Sequence, residues 1–197
     1  MKYKNNSILT FQGSSFSKSL KLDPYNLSKL IIQLVTLSRD THTAILKIRK
    51  NQLYLLQSNL IKGTHFIKIS KEWLDKKIEK GDIIYQETKI RPKEKVYDII
   101  LDELNKNKIK YFKLGNYNIF GTLNQFFINV FNKSIYWRRY DKVNSDFIRK
   151  NDLSKKIKIP SYFCSEFVMY YFFNDKKAYF YSPYKVRKHF EKLKYKK

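Results

Sequence analysis

The sequence predicts one α+β domain, an antiparallel sheet packed against helices. Three observations carry that expectation. Short segments that alternate apolar and polar residues recur between positions 7 and 84. Other segments, around 27–37 and 96–104, carry their apolar residues at helical spacing. No repeat or linker interrupts the 197 residues; Gly (5) and Pro (4) are scarce, and 17% aromatic content supplies burial for one core.

In chain order, Ser7 to Gly13 alternates like a strand and turns at Gly13-Ser14-Ser15. Asp23-Pro24 caps and opens a helix carrying Leu27, Leu30, Ile31, Leu34, Val35 and Leu37. Strands follow over 41–48 and 53–57, joined by the polar turn Arg49-Lys50-Asn51-Gln52, which sets residue 42 opposite 57 or 58 within a register step. An extended piece over 64–69 leads into a helix over 71–78 capped by Ser70, and 81–84 reads as a further strand. Arg91-Pro92 opens another helix, and one more is expected over 123–131. Residues 133–158 are the least patterned and read as an insertion or mobile loop. A helix over 163–173, a strand over 178–181 and a basic helix opening at Ser182-Pro183 complete the domain, 1–197.

Lys and Arg number 41 against 17 Asp and Glu, a net charge of +24. Such a surface favours polyanions such as nucleic acid or an anionic surface, unless the lysines, spread along the chain, are only a solvated face. No signal peptide is expected, since few apolar residues follow the basic start, and no apolar run approaches the ~20 residues of a transmembrane helix. Together with a single cysteine, this predicts a reducing, cytoplasmic or virion-associated location.

That cysteine, Cys164, cannot form an internal disulfide. It follows an extended segment, Ile157 to Pro160, and opens the helix, where the positive end of the dipole favours thiolate. His42 lies far upstream at the start of a strand and shares a face with Ala44. A thiol and an imidazole brought together by the fold are the ingredients of a nucleophile and its base. Gln57, on the neighbouring strand, could accept the ring N–H of His42; Asn59 or a backbone carbonyl are alternatives. The bland readings are a small buried hydrophobe for Cys164 and a satisfied strand histidine for His42. His65 and His189 have no partner pattern and read as surface or structural. Glu166, two residues beyond Cys164, reads as pointing away. One Cys with scattered His suggests neither metal site nor cofactor.

Several of these segments, in this order, resemble the circularly permuted NlpC/P60 peptidases of the papain-like superfamily. The likeness is to the YiiX-like branch especially, and more distantly to lecithin retinol acyltransferase. Ser7 to Ser15 resembles the opening strand and serine turn; Asp40-Thr41-His42-Thr43-Ala44-Ile45 the His segment; Tyr54 to Ser58 the site of the third polar residue. Tyr162-Phe163-Cys164-Ser165-Glu166-Phe167-Val168 resembles the nucleophile motif, and Tyr181-Ser182-Pro183-Tyr184 the helix start after it. The resemblance implies a permuted papain-like fold and a cysteine peptidase or amidase with Cys164 as nucleophile, His42 as base and Gln57 as orienter. The substrate classes it leaves open are peptide, peptidoglycan and lipid acyl groups. AT-rich residue usage without a secretion signal suggests a phage or viral product. The alternatives are a weakly active or inactive virion-associated protein, held among virion proteins or on polyanions, and a lipid acyl hydrolase or acyltransferase.

Overall fold

A computed structural model describes residues 2–13, 33, 38–59, 62–93, 96–106, 108, 110–115, 118, 162–175 and 177–194. The helix expected from Asp23, the one over 123–131, the segment 133–158 and the run Ile157 to Pro160 lie outside these residues. Six strands form one antiparallel sheet: β1 (Ser7–Gln12), β2 (Asp40–Arg49), β3 (Gln52–Asn59), β4 (Gly63–Ile69), β5 (Ile83–Gln86) and β6 (Tyr111–Gly115). Their order across the sheet is β5-β1-β2-β3-β4-β6. Among the described residues four α-helices accompany it: α1 (Lys71–Glu79), α2 (Val96–Lys106), α3 (Cys164–Phe173) and α4 (Pro183–Lys194). The α+β class and the antiparallel sheet are as the sequence predicts.

The β2–β3 hairpin turns on two residues, Lys50 and Asn51, with φ of 46° and 62°. A two-residue turn with both central residues left-handed matches the twist of its strands and pins the register. Arg49 thus pairs with Gln52, and Gln57 stands opposite Ala44 rather than opposite His42. Helix α1 begins as expected: Ser70 Oγ accepts from Trp73 N at 3.1 Å. It ends where Gly81 N reaches Ile78 O and Asp82 N reaches Lys77 O. Gly81, with φ +71°, supplies the left-handed residue this ending requires, so β5 starts two residues later than the pattern suggests.

Two further expectations are corrected, and one strand was not expected. The strand expected over 178–181 is a 3₁₀ turn, Ala178–Phe180. Asp175 is the cause: its side chain accepts from Lys177 N and its carbonyl from Ala178 N, which coils the chain locally. Helix α2 starts at Val96, beyond the Arg91-Pro92 signal. Strand β6, for which the sequence carries no turn signal, pairs with β4 at the sheet edge.

Both faces of the sheet are covered. Ile8, Ile45, Tyr54, Leu56 and Phe66 point to α2, α3 and α4, packing with Ile100, Phe167, Val168 and Phe190. Leu9, Ala44, Leu46, Leu53 and Leu55 point the other way, toward Leu74 of α1. Each buried Ile, Leu, Val or Phe side chain among them contributes about 1.5–3 kcal/mol. Near the first face, Lys47 is fully buried with its ammonium on Asp98, Asn6 Oδ1 (2.5 Å) and Tyr171 OH (2.8 Å). Burial depresses its pKa.

Candidate functional site

The site stands at the start of β2, where the ladder to β1 shifts register. Phe11 pairs with His42 and Gln12 with Asp40, so Thr41 is an extra residue, a β-bulge. Bulges re-aim side chains. Here Asp40 turns toward α4, where Arg187 Nε donates to its Oδ2 at 2.8 Å, while Gln12 Nε2 donates to Oδ1 at 2.6 Å. His42 lies on the face of Ala44 and Gln57, its ring against Phe11 at 5.2 Å between centroids.

His42 and Gln57 meet as the sequence predicts. His42 Nε2 stands 2.8 Å from Gln57 Oε1. The bond runs diagonally, because Gln57 is opposite Ala44. It continues to His65, which the sequence read as surface or structural: Gln57 Nε2 lies 3.1 Å from His65 Nε2, and His65 Nδ1 lies 2.8 Å from the Gly63 carbonyl oxygen. His65 is 1% exposed, and that burial lowers its pKa, holding it neutral. The pairing of β3 with β4, Asn59 opposite Gly63, places His65 directly opposite Gln57.

Cys164 opens α3, the helix packed on the other face. Phe163, the residue before it, offers no side-chain cap. The thiol is buried, with Thr43 and Ser165 beside it. Thr43 follows His42 in β2 and, by the alternation of the strand, shares the α3 face with Ile45. The structure thus brings His42 and Gln57 together and sets Cys164 against the adjacent residue of the same strand. The thiolate expected from the helix dipole is not favoured at rest. Desolvation pushes the Cys164 thiol up, outweighing the lowering by Thr43 and Ser165.

The floor beneath the start of α3 is polar. Thr10 and Thr43 pair across β1 and β2, and Ser58 and Thr64 pair across β3 and β4; all four are fully buried. Ser58 Oγ donates to the Tyr162 carbonyl at 2.6 Å, tying the approach to Cys164 to β3. The hydroxyls of Thr10 and Thr64 find no hydrogen-bond partner among the described residues, at a cost of about 1–3 kcal/mol each. Glu166 is fully buried in the first turn of α3, so it is not a solvent-facing side chain, and Ser165 Oγ is held by the Tyr181 carbonyl at 2.6 Å.

A cavity of about 440 Å³ lies away from this site, at the far end of β3, where Lys68, Lys71 and Lys110 line it beside Tyr3 and Glu72. Among the described residues no His, Cys, Asp or Glu cluster is arranged to hold a metal, and no helix is long and apolar enough to cross a membrane. Compared with known proteins, the chain matches no family model, no curated protein and no solved structure.

Proposed function

We propose that the protein is a cysteine hydrolase of permuted papain-like architecture, acting on an amide or ester through Cys164 and His42. One observation carries the reading: the thiol at the start of α3 lies against Thr43, next in sequence to a histidine whose ring is held by Gln57. The resemblance of the His42 and Cys164 segments to the NlpC/P60 peptidases supports the same assignment.

In this reading the resting site is neutral. Substrate binding brings the His42 ring around the bulge to the thiol. His42 accepts the Cys164 proton, and the sulfur attacks the carbonyl carbon. The tetrahedral adduct collapses to a thioester as His42 passes the proton to the leaving amine or alcohol. Water, deprotonated by His42, then attacks the thioester and releases the acid, and the sulfur recovers its proton. Backbone N–H groups of the uncapped first turn of α3 would receive the oxyanion. Gln57 orients the ring but stabilises imidazolium less than a carboxylate would.

The test is the full-length protein on a panel of peptides, muropeptides and phospholipids, together with iodoacetamide labelling of Cys164. Turnover of one class that is lost in both Cys164→Ser and His42→Ala supports the reading and names the bond cleaved. Equal, slow labelling of wild type and His42→Ala, with no turnover, overturns it.

A second reading has its own support. A buried, elevated thiol is what a structural cysteine shows, and +24 charge with three lysines around one cavity suits a polyanion-binding protein, free or in a virion. Nucleic-acid binding that weakens steeply with salt, in a protein without turnover, would establish it.

A further inference from the structure

We propose that His65 is a positioning residue of this site: acting through the Gln57 amide, it fixes His42 as the Nε2–H tautomer and leaves the lone pair on Nδ1. That this serves catalysis rests on the hydrolase reading; the tautomer itself does not.

The chain of bonds has one direction because it starts at an atom that can only accept. The Gly63 carbonyl, 2.8 Å from His65 Nδ1, carries no proton, so Nδ1 is the donor. A neutral imidazole has one N–H, so His65 Nε2 must accept. Its partner at 3.1 Å is Gln57 Nε2, an amide nitrogen that can only donate. The amide is thereby oriented with Oε1 toward His42, and at 2.8 Å an acceptor-only oxygen requires Nε2 of His42 to carry the hydrogen. The base nitrogen is then Nδ1. Reversing any link sets two donors or two acceptors face to face.

The backbone is built to hold this chain. Gln57 and His65 are direct cross-strand partners, so their side chains rise together from one face. Gly63 begins β4 with φ +66°, a conformation that any side chain would strain. Asn59 Oδ1 accepts from Lys62 N at 2.8 Å and braces the turn before it. Burial keeps His65 neutral, the state in which Nε2 can accept. The argument also gives a reason for an amide at position 57. A carboxylate would accept from both rings and could not relay a direction from His65 to His42.

The test uses long-range ¹H–¹⁵N correlation spectra of the full-length protein with labelled histidines, at a pH well above the ordinary histidine pKa of about 6.5. The three histidines are assigned by single substitutions. His42 is expected as Nε2–H and His65 as Nδ1–H. In His65→Phe the amide loses its anchor, and the minor Nδ1–H form of His42 is expected to rise roughly fivefold, as the loss of one neutral hydrogen bond implies. An Nδ1–H His42 in the wild type, or a tautomer ratio unmoved in His65→Phe, overturns the proposal. If His65→Phe does not fold, Gln57→Glu decides. The carboxylate should draw a second proton onto His65 at a pH where the wild-type ring is neutral, and an unchanged His65 overturns the proposal. These readouts need no substrate. The expected tautomers without turnover retire the hydrolase and leave the relay standing; turnover with the opposite tautomer does the reverse.

Discussion

Replacing Arg187 by Met should cost the protein about 2–3 kcal/mol, a magnitude that follows from how Asp40 is held. Asp40 is almost fully buried, with its side chain 2% exposed, and it has two partners, Arg187 Nε at 2.8 Å and Gln12 Nε2 at 2.6 Å. Removing one partner of a buried ion pair costs about 3–5 kcal/mol, because the remaining charge is left in a poor solvent. Two features lower the figure here. Gln12 keeps one oxygen of Asp40 satisfied, and Arg187, 18% exposed, returns part of its hydration as it already shares its charge with Glu191 at 2.7 Å. With a urea slope of about 2 kcal/mol/M for a domain of this size, the midpoint should fall by about 1 M. The double variant Asp40→Asn with Arg187→Met should be more stable than the sum of the two single losses predicts, by at least about 1 kcal/mol, since each single change strands a partner and the pair does not. A loss below about 0.5 kcal/mol in Arg187→Met, or strict additivity in the cycle, would refute the clamp of α4 onto the start of β2.

Other perturbations test other parts of the structure. The folded pKa of Cys164 stands above the unfolded value of about 8.5, so its contribution to stability is whole below that pH and is lost as pH rises through the folded pKa. Wild type should therefore lose stability relative to Cys164→Ala on the alkaline side, by at most about 1.4 kcal/mol per pH unit, and parallel urea midpoints would deny the burial. Lys47→Met should lie within about 1 kcal/mol of wild type, whereas Lys47→Ala should cost about 2–4 kcal/mol. The difference arises because Met keeps the packed stem while the partners bond each other, Tyr171 to Asn6 at 3.0 Å and Asp98 to Arg49 at 3.4 Å. Ser70→Ala should cost about 1 kcal/mol in thermal or urea unfolding through loss of the Trp73 N–H bond.

What was legible in the sequence was local and periodic. The β2–β3 hairpin could be read because two alternating runs flank a polar turn, and the Ser70 cap because a hydroxyl precedes a helical pattern. The meeting of His42 with Gln57 followed from that hairpin alone. His65 was not legible, because its role depends on a second register, that of β4 against β3. Strand β6 was hidden for a similar reason: edge pairing rests on a neighbour, not on the alternation of five residues. The state of Cys164 depends on burial, which a helix-dipole argument from sequence omits. At the start of α3 desolvation outweighs the helix end.

The extra residue Thr41 explains how one strand end serves two faces. Residues 40 and 42 of an unbroken strand would point the same way. With the bulge between them, Asp40 binds α4 on one side and His42 joins Gln57 on the other. Thr41 Oγ1 donates to the Phe11 carbonyl at 3.2 Å, which ties the extra residue to β1. The arrangement separates anchoring from chemistry. The Asp40 ion pair fixes the strand, and beyond the extra residue His42 carries the imidazole and Thr43 the contact to the thiol. A hydrolase built this way needs only a local change at the bulge to bring the His42 ring from the Gln57 face to the Cys164 face. Locking that bulge should suppress thiol labelling while leaving the His42 tautomer in place. Deleting Thr41 makes Asp40 and His42 neighbours, and plain alternation then keeps them on opposite faces, so His42 should stay on Gln57 while the local freedom of the bulge is lost. A deletion variant that folds and loses the Nε2–H signature of His42 would refute this account of the strand.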